Sequence, residues 1–131
     1  MSTISVDTTL TQGLFDSYTS PITISEGVTV TLSEYINNSN SAKYFILGGT
    51  NITFEGNKNA IILDSIIDYP GLFQCTVPTY IVAIQNLGVL VGETSTLATN
   101  NAWFVQGYAT SDVAGDSGIT VKNCYSTGEI F

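Results

Sequence analysis

Asn51-Ile52-Thr53-Phe54-Glu55-Gly56-Asn57 is an apolar–polar–apolar triplet closed by a Gly-Asn pair. Alternation of this kind marks a strand with one buried face. Gly and Asn tolerate left-handed backbone, so the pair reads as a sharp corner at the strand's end. The triplet recurs as Ile22-Thr23-Ile24, Val82-Ala83-Ile84 and Ile119-Thr120-Val121. The intervals from Ile22 to Ile52 and from Ile52 to Val82 are equal, and the interval from Val82 to Ile119 is somewhat longer.

A second series follows the first. Phe45, Phe73 and Phe104 follow Ile24, Phe54 and Ile84 at nearly equal distances, and Gln74 and Gln106 lie just past the later two aromatics. A third apolar stretch runs between the two series, as Val28-Val30-Leu32, Ile61-Ile62-Leu63 and Leu87-Val89-Val91. Each unit therefore reads strand, turn, strand, loop, strand, with Gly56-Asn57, Asn86 and Asn123 at equivalent corners. Such units cannot bury an inner face alone, but stacked in register they share a continuous apolar column. The expected fold is all-β, a right-handed parallel β-helix of three full coils and a partial fourth over residues 21–131, behind a short N-terminal cap over 1–20. An all-β sandwich also has turn signals at short intervals, but the near-constant spacing favours the solenoid. Helix is expected only as a turn at Ser33-Glu34-Tyr35-Ile36 and within an Asp7–Ser17 cap, with loops protruding at 37–42, 93–101 and 110–118. Ile52, Phe54, Phe73, Val82, Ile84, Phe104, Ile119 and Val121 are expected to point inward.

Composition narrows the functions open to such a column. Hydrophobic residues make up 44% of the chain and charged residues only 11%, so a packed domain with an uncharged polar surface is expected rather than disorder. The chain has neither Arg nor His; Lys43, Lys58 and Lys122 face eleven carboxylates, for a net charge of −8. Three scattered lysines make no basic groove, which argues against nucleic acid and anionic membranes as partners. No apolar run reaches the length of a membrane span, and Met1–Leu10 lacks the basic and apolar regions of a secretory signal. Asn37-Asn38-Ser39 and Asn51-Ile52-Thr53 read as turn and strand residues more than as glycosylation acceptors. Cys75 and Cys124 are far apart in sequence and form neither a disulfide framework nor a zinc site. Two coils are expected to separate them, roughly 10 Å at the spacing of neighbouring strands, so both should be free thiols.

Catalysis is not expected. A lyase of this architecture needs a base that the missing Arg and His would supply, and Lys122 has no acids clustered beside it. The carboxylate pairs Asp64/Asp68 and Asp112/Asp116 could be compared with a hydrolase pair, but they read as solvent-facing turns. Calcium at Asp112 and Asp116 is chemically conceivable, yet the segment does not match a calcium loop. No phosphate loop, nucleophile elbow or metal-binding cluster is present. We therefore assign no catalytic, cofactor-binding or metal-binding residue and no cofactor.

Three residues stand out as partner contacts. Trp103 alternates with Phe104 and points outward if Phe104 points in. Tyr125 belongs to a set of seven tyrosines, with Tyr18, Tyr35, Tyr44, Tyr69, Tyr80 and Tyr108, that could form a glycan shelf or simply pack. Phe131 ends the apolar pair Ile130-Phe131 on a strand edge with few charges to protect it. The alternating threonines invite an ice-binding reading, which Ala83 interrupts.

The corner motifs resemble a known family. Asn51–Asn57, together with Asn123-Cys124-Tyr125-Ser126-Thr127-Gly128-Glu129-Ile130, resembles GLUG-type repeats of right-handed parallel β-helix proteins found in bacterial adhesins and in giant DNA viruses of amoebae. Tyr69-Pro70-Gly71-Leu72-Phe73-Gln74 and Trp103-Phe104-Val105-Gln106 look more like the viral versions. The likeness covers roughly residues 44–131. Family repeats continue with a Gly-Leu-hydrophobic-Gly segment, whereas this chain stops at Phe131, which argues against a long adhesin. The resemblance implies a non-enzymatic virion-associated structural or accessory protein, in the virion or in the viral factory of the host cytoplasm. It would assemble with itself as a homotrimer, or with other virion proteins. The alternative is a carbohydrate- or receptor-binding module of tailspike or adhesin type.

Overall fold

Short runs of β-branched and aromatic residues, interrupted every few positions by Gly, Asn, Asp or Ser, fold as strands of two to five residues. In the computed structural model, residues 1–75, 77, 79–97, 105–107 and 118–127 are described, with backbone alone at 105–107 and 118. These residues form three sheets in which all strand pairs are parallel. Sheet A holds β1 (Ser2–Ile4), β3 (Ile22–Ile24), β6 (Phe45–Leu47), β9 (Phe73–Cys75) and β12 (Val105–Gly107). Sheet B holds β2 (Thr8–Leu10), β4 (Thr29–Leu32), β7 (Ile52–Glu55), β10 (Ile81–Gln85) and β13 (Gly118–Lys122). Sheet C holds β5 (Ile36–Asn38), β8 (Ala60–Leu63), β11 (Gly88–Val91) and β14 (Tyr125–Ser126). Along the chain the strands fall in sheets A, B and C in turn. The exception is the first layer, where helix α1 (Gln12–Ser17) takes the place of a strand in sheet C.

The register corrects the sequence alignment. Ile22–Ile24 lies in sheet A under Phe45–Leu47, whereas Ile52–Glu55 lies in sheet B over Val30, so the 22-to-52 interval joins two different sheets. Val30 pairs with Phe54 in sheet B, while the sheet C partner of Ile61 is Ile36. The expected helical turn at Ser33–Ile36 is instead the corner into β5, and the expected loop from Asn37 begins inside that strand. A triplet with one buried face is the same signal in each of the three sheets, so alternation alone cannot say which sheet a strand joins. Elsewhere the alignment holds: Ile52–Val82–Ile119, Phe45–Phe73 and Gln74–Gln106 are register partners. Val105, not Phe104, pairs with Phe73; Phe104 lies outside the described residues. The spacing between layers is not constant but grows along the chain. Ser2 pairs with Ile22 in the first layers, whereas Val82 must wait until Ile119 for its partner.

The inward columns make the core. Ile52, Phe54, Phe73, Val82, Ile84 and Ile119 are buried as expected. Val121 is not; it continues the inward column above Ile84 but is 47% exposed. At the centre, Phe45 stacks on Phe73 one strand away, with ring centroids 5.6 Å apart. Phe54 crosses from sheet B to meet them at 5.1 and 4.9 Å. Such tilted and edge-on pairs add to simple area burial.

Residues 1–20, expected as a cap, contribute two paired strands as well as a helix. Thr11 starts α1 by accepting a hydrogen bond from the Leu14 amide (3.2 Å). The helix presses Phe15 onto Phe45. Its first residue, Gln12, then takes the part of a strand. The Gln12 side-chain amide donates to the Asn37 carbonyl (2.9 Å) and accepts from the Asn37 N–H (2.7 Å). Lys43 lies almost wholly inside, its Nζ 4.5 Å from the centroid of the Phe15 ring. Burial lowers its pKa, and the charge of Asp16 partly opposes that. The Lys43 carbonyl takes hydrogen bonds from Asn38 Nδ2 and Tyr69 Oη, both buried.

The expected loop at 93–101 is described as far as Leu97, and there it packs down rather than protruding. Ser95 Oγ accepts from the Ile66 amide and donates to the Leu63 carbonyl, and the Thr96 amide donates to the Ile66 carbonyl.

Both cysteines are free thiols, Cys75 buried and Cys124 partly so. They lie in adjacent layers, not two coils apart as the sequence suggested; Cys75 ends a sheet A strand and Cys124 stands at the corner before β14. Titration of the denatured, unreduced chain is expected to find two thiols per molecule; finding none would mean a bridge.

Candidate functional site

Among the described residues, the corner between sheets B and C gathers the side-chain amides of Asn57, Asn59, Gln85, Asn86 and Asn123. In three consecutive layers an Asn turns this corner in left-handed backbone: Asn57 (φ 53°), Asn86 (φ 54°) and Asn123 (φ 53°). The sequence marked these positions for that reason. The first of these corners is longer than the next two. Four residues, 56–59, separate β7 from β8, against two in each later layer, and Lys58 also adopts left-handed backbone (φ 64°). A long side chain in that conformation is uncommon.

Glu55 ties the layers together at this corner. Its carboxylate accepts from Gln85 Nε2 (2.9 Å), Asn86 Nδ2 (3.1 Å) and the Asn57 amide (2.6 Å). Asn123 Nδ2 reaches Asn86 Oδ1 at 3.4 Å, extending the ladder upward. Burial pushes the Glu55 pKa up, but the hydrogen bonds from Gln85, Asn57 and Asn86 outweigh it and leave the pKa below the ordinary 4.5. A carboxylate with a depressed folded-state pKa stabilises the fold fully above its unfolded value, and the contribution is lost as pH falls through the folded one. Glu55→Gln is therefore expected to be less stable than wild type at pH 7 and to converge with it as pH drops below 4.5. Denaturant melts at several pH values measure this, and a difference that stayed constant with pH would refute the ladder's ionic character.

Beside the ladder lies a hollow of ≈ 310 Å³ lined by Lys58, Asn59, Asn86, Leu87, Gly88, Asn123 and Tyr125. Gly88 makes it possible. A Cβ at that position would lie 2.8 Å from Tyr125 Cε1, so its absence lets the Tyr125 ring fold down over the strand. Tyr125 remains 52% exposed.

Of the three expected partner contacts, Tyr125 is placed here at the rim of the hollow, while Trp103 and Phe131 lie outside the described residues. The tyrosines among the described residues form no common shelf. Tyr69 is fully buried, Tyr18, Tyr44 and Tyr80 pack partly against the core, and Tyr35 and Tyr125 are exposed; Tyr108 lies outside the described residues. Asp64 and Asp68 are exposed; Asp112 and Asp116 lie outside the described residues. Among the described residues no group of three or more His, Cys, Asp or Glu side chains could hold a metal ion, and no helix is long and apolar enough to cross a membrane. Sequence reasoning missed Lys58 and Asn59 as neighbours of Tyr125. The available signal was the corner lengthened by two residues, Lys58-Asn59, relative to Asn86-Leu87.

No family model, curated protein or solved structure matches the chain.

Proposed function

We propose that the chain is a right-handed parallel β-helix that acts without catalysis, as a structural or accessory component assembling through its own surfaces. The recurrence of sheets A, B and C along the chain supports the helical winding. The right hand follows from the strong preference of parallel crossovers for that sense. One observation carries the assembly reading. Val121 continues a column in which Phe54 and Ile84 are wholly buried, yet it is 47% exposed, with no described strand above it. Apolar columns and strand edges of this kind favour pairing with another chain.

A homotrimer is the proposed state, and its support is the resemblance to fibrous viral repeats. The proposed setting, a virion or viral factory, has the same support and is tested by mass spectrometry of purified particles. Light scattering coupled to gel filtration tests the assembly itself. The expected mass is three times 14.0 kDa. A mass of one chain at micromolar concentration would refute self-assembly, and a dimer would remove only the family analogy.

The second reading, a carbohydrate- or receptor-binding module, is favoured by the half-exposed Tyr125 ring at the edge of an amide-lined hollow.

A further inference from the structure

We infer that the hollow at the B/C corner is a saccharide subsite, taking one pyranose ring that carries a carboxylate. The inference deepens the second reading above and does not depend on self-assembly.

The hollow's lining matches the two-sided chemistry of a sugar. A pyranose has a C–H face that packs on an aromatic ring and a rim of hydroxyls that need donors and acceptors. Tyr125 supplies the ring, which lies close against Gly88 and stays half exposed. Asn59 and Asn123 supply amides beside it, while Asn86 is held by Glu55 and Asn123. Each amide offers two N–H donors and an acceptor oxygen. Asn123 spends one donor, on a long 3.4 Å contact; Asn59 spends Nδ2 on the Leu32 and Asn57 carbonyls, which leaves its Oδ1 as an acceptor. A ≈ 310 Å³ space is at the small end of ligand sites, the scale of a sugar residue rather than of an extended chain.

Charge selects among sugars. Among the described residues, Lys58 is the only ionisable residue besides Tyr125 in the lining, and no carboxylate lines the hollow with it. The nearest acid in sequence, Glu55, is already held by Gln85, Asn86 and the Asn57 amide. A single ammonium among the described lining residues suits one carboxylate. It does not suit a polyanion, which a net charge of −8 repels. The left-handed backbone at Asn57 and Lys58 sets Lys58 at this corner, where the next two layers turn with a single Asn.

The test is an NMR titration of the full chain with galacturonate, glucuronate, galactose and glucose, each up to about 10 mM. Uronates are expected to shift corner resonances and to bind about fivefold more tightly than the neutral hexoses, roughly what an exposed ion pair contributes. Tyr125→Ala should weaken uronate binding about tenfold, the loss of one aromatic contact. Gly88→Ala, which keeps the ring but lifts it from the strand, should weaken it as well. Lys58→Gln should erase the uronate preference and leave hexose binding intact. Circular dichroism confirms that each variant is folded. Equal affinity for uronates and hexoses would overturn the charge selection. Binding unchanged in Tyr125→Ala would overturn this corner as the site but leave the module reading standing. The absence of binding, both here and on a broad glycan array, would sink both.

Discussion

Phe54→Ala is expected to cost about 3–5 kcal/mol, the range for emptying a buried aromatic position. Phe54 has no solvent exposure. Its ring meets Phe45 at 5.1 Å and Phe73 at 4.9 Å, so the vacancy would open between two sheets. The neighbours have little freedom to close it. Phe45 and Phe73 are locked one above the other by the ladder of sheet A, and the backbone of β7 is hydrogen-bonded on both sides, to β4 and β10. Chemical denaturation followed by circular dichroism reads the loss. A midpoint indistinguishable from wild type would mean that Phe54 does not sit where the register places it.

Gly56→Ala is expected to destabilise by about 3 kcal/mol, the upper end of ordinary overpacking. The reason is the obstruction it meets. An added Cβ would lie 2.6 Å from Leu87 Cα and closer still to the Asn86 carbonyl oxygen. Both belong to the backbone of the next layer, which no side-chain rotation can move aside. The layers are already at hydrogen-bonding distance there, with the Gly56 amide donating to the Gln85 carbonyl at 2.9 Å. Relief requires parting the stack at the corner that Glu55 also clamps. The same denaturation experiment applies, and a variant as stable as wild type would show that the layers can separate at little cost.

The two substitutions also show what could be read in advance. Phe54 was legible as an inward residue because alternation has a period of two and leaves no choice of face. The conformation at Asn57, Asn86 and Asn123 was legible because few residues other than Gly and Asn accept left-handed backbone. The sheet to which each early strand belongs was not. Ile22-Thr23-Ile24 and Ile52-Thr53-Phe54 are nearly the same string, yet they occupy different sheets, because packing against neighbours and not local pattern makes that assignment. β5 was missed because Asn37 and Asn38 look like a turn. Asn38 is nonetheless buried, satisfied by donating to the Lys43 carbonyl and accepting from the Asn40 amide. The hollow was half legible. Tyr125 was singled out, but its relation to Lys58 and Asn59 joins residues two layers apart in the stack, which sequence spacing does not reveal.

Gln12 gives this stack a direction. A strand laid along β5 would bond Asn37 and then offer its own far edge to yet another strand, so that each addition prepares the next. A side-chain amide makes the same pair of bonds at Asn37 but has no far edge to offer. It acts as a chain terminator in the polymer chemist's sense, consuming the reactive end without regenerating it. Templated growth along sheet C is thereby stopped at β5, while the opposite end of that sheet, at β14, has no such stopper among the described residues. Gln12→Ala would remove this pair of bonds, and the 3.0 Å bond to Asp16, and leave α1 alone to cover the edge of β5. Fibrils that lengthen from the α1 end of that variant would show that the amide, and not the helix, is the stopper.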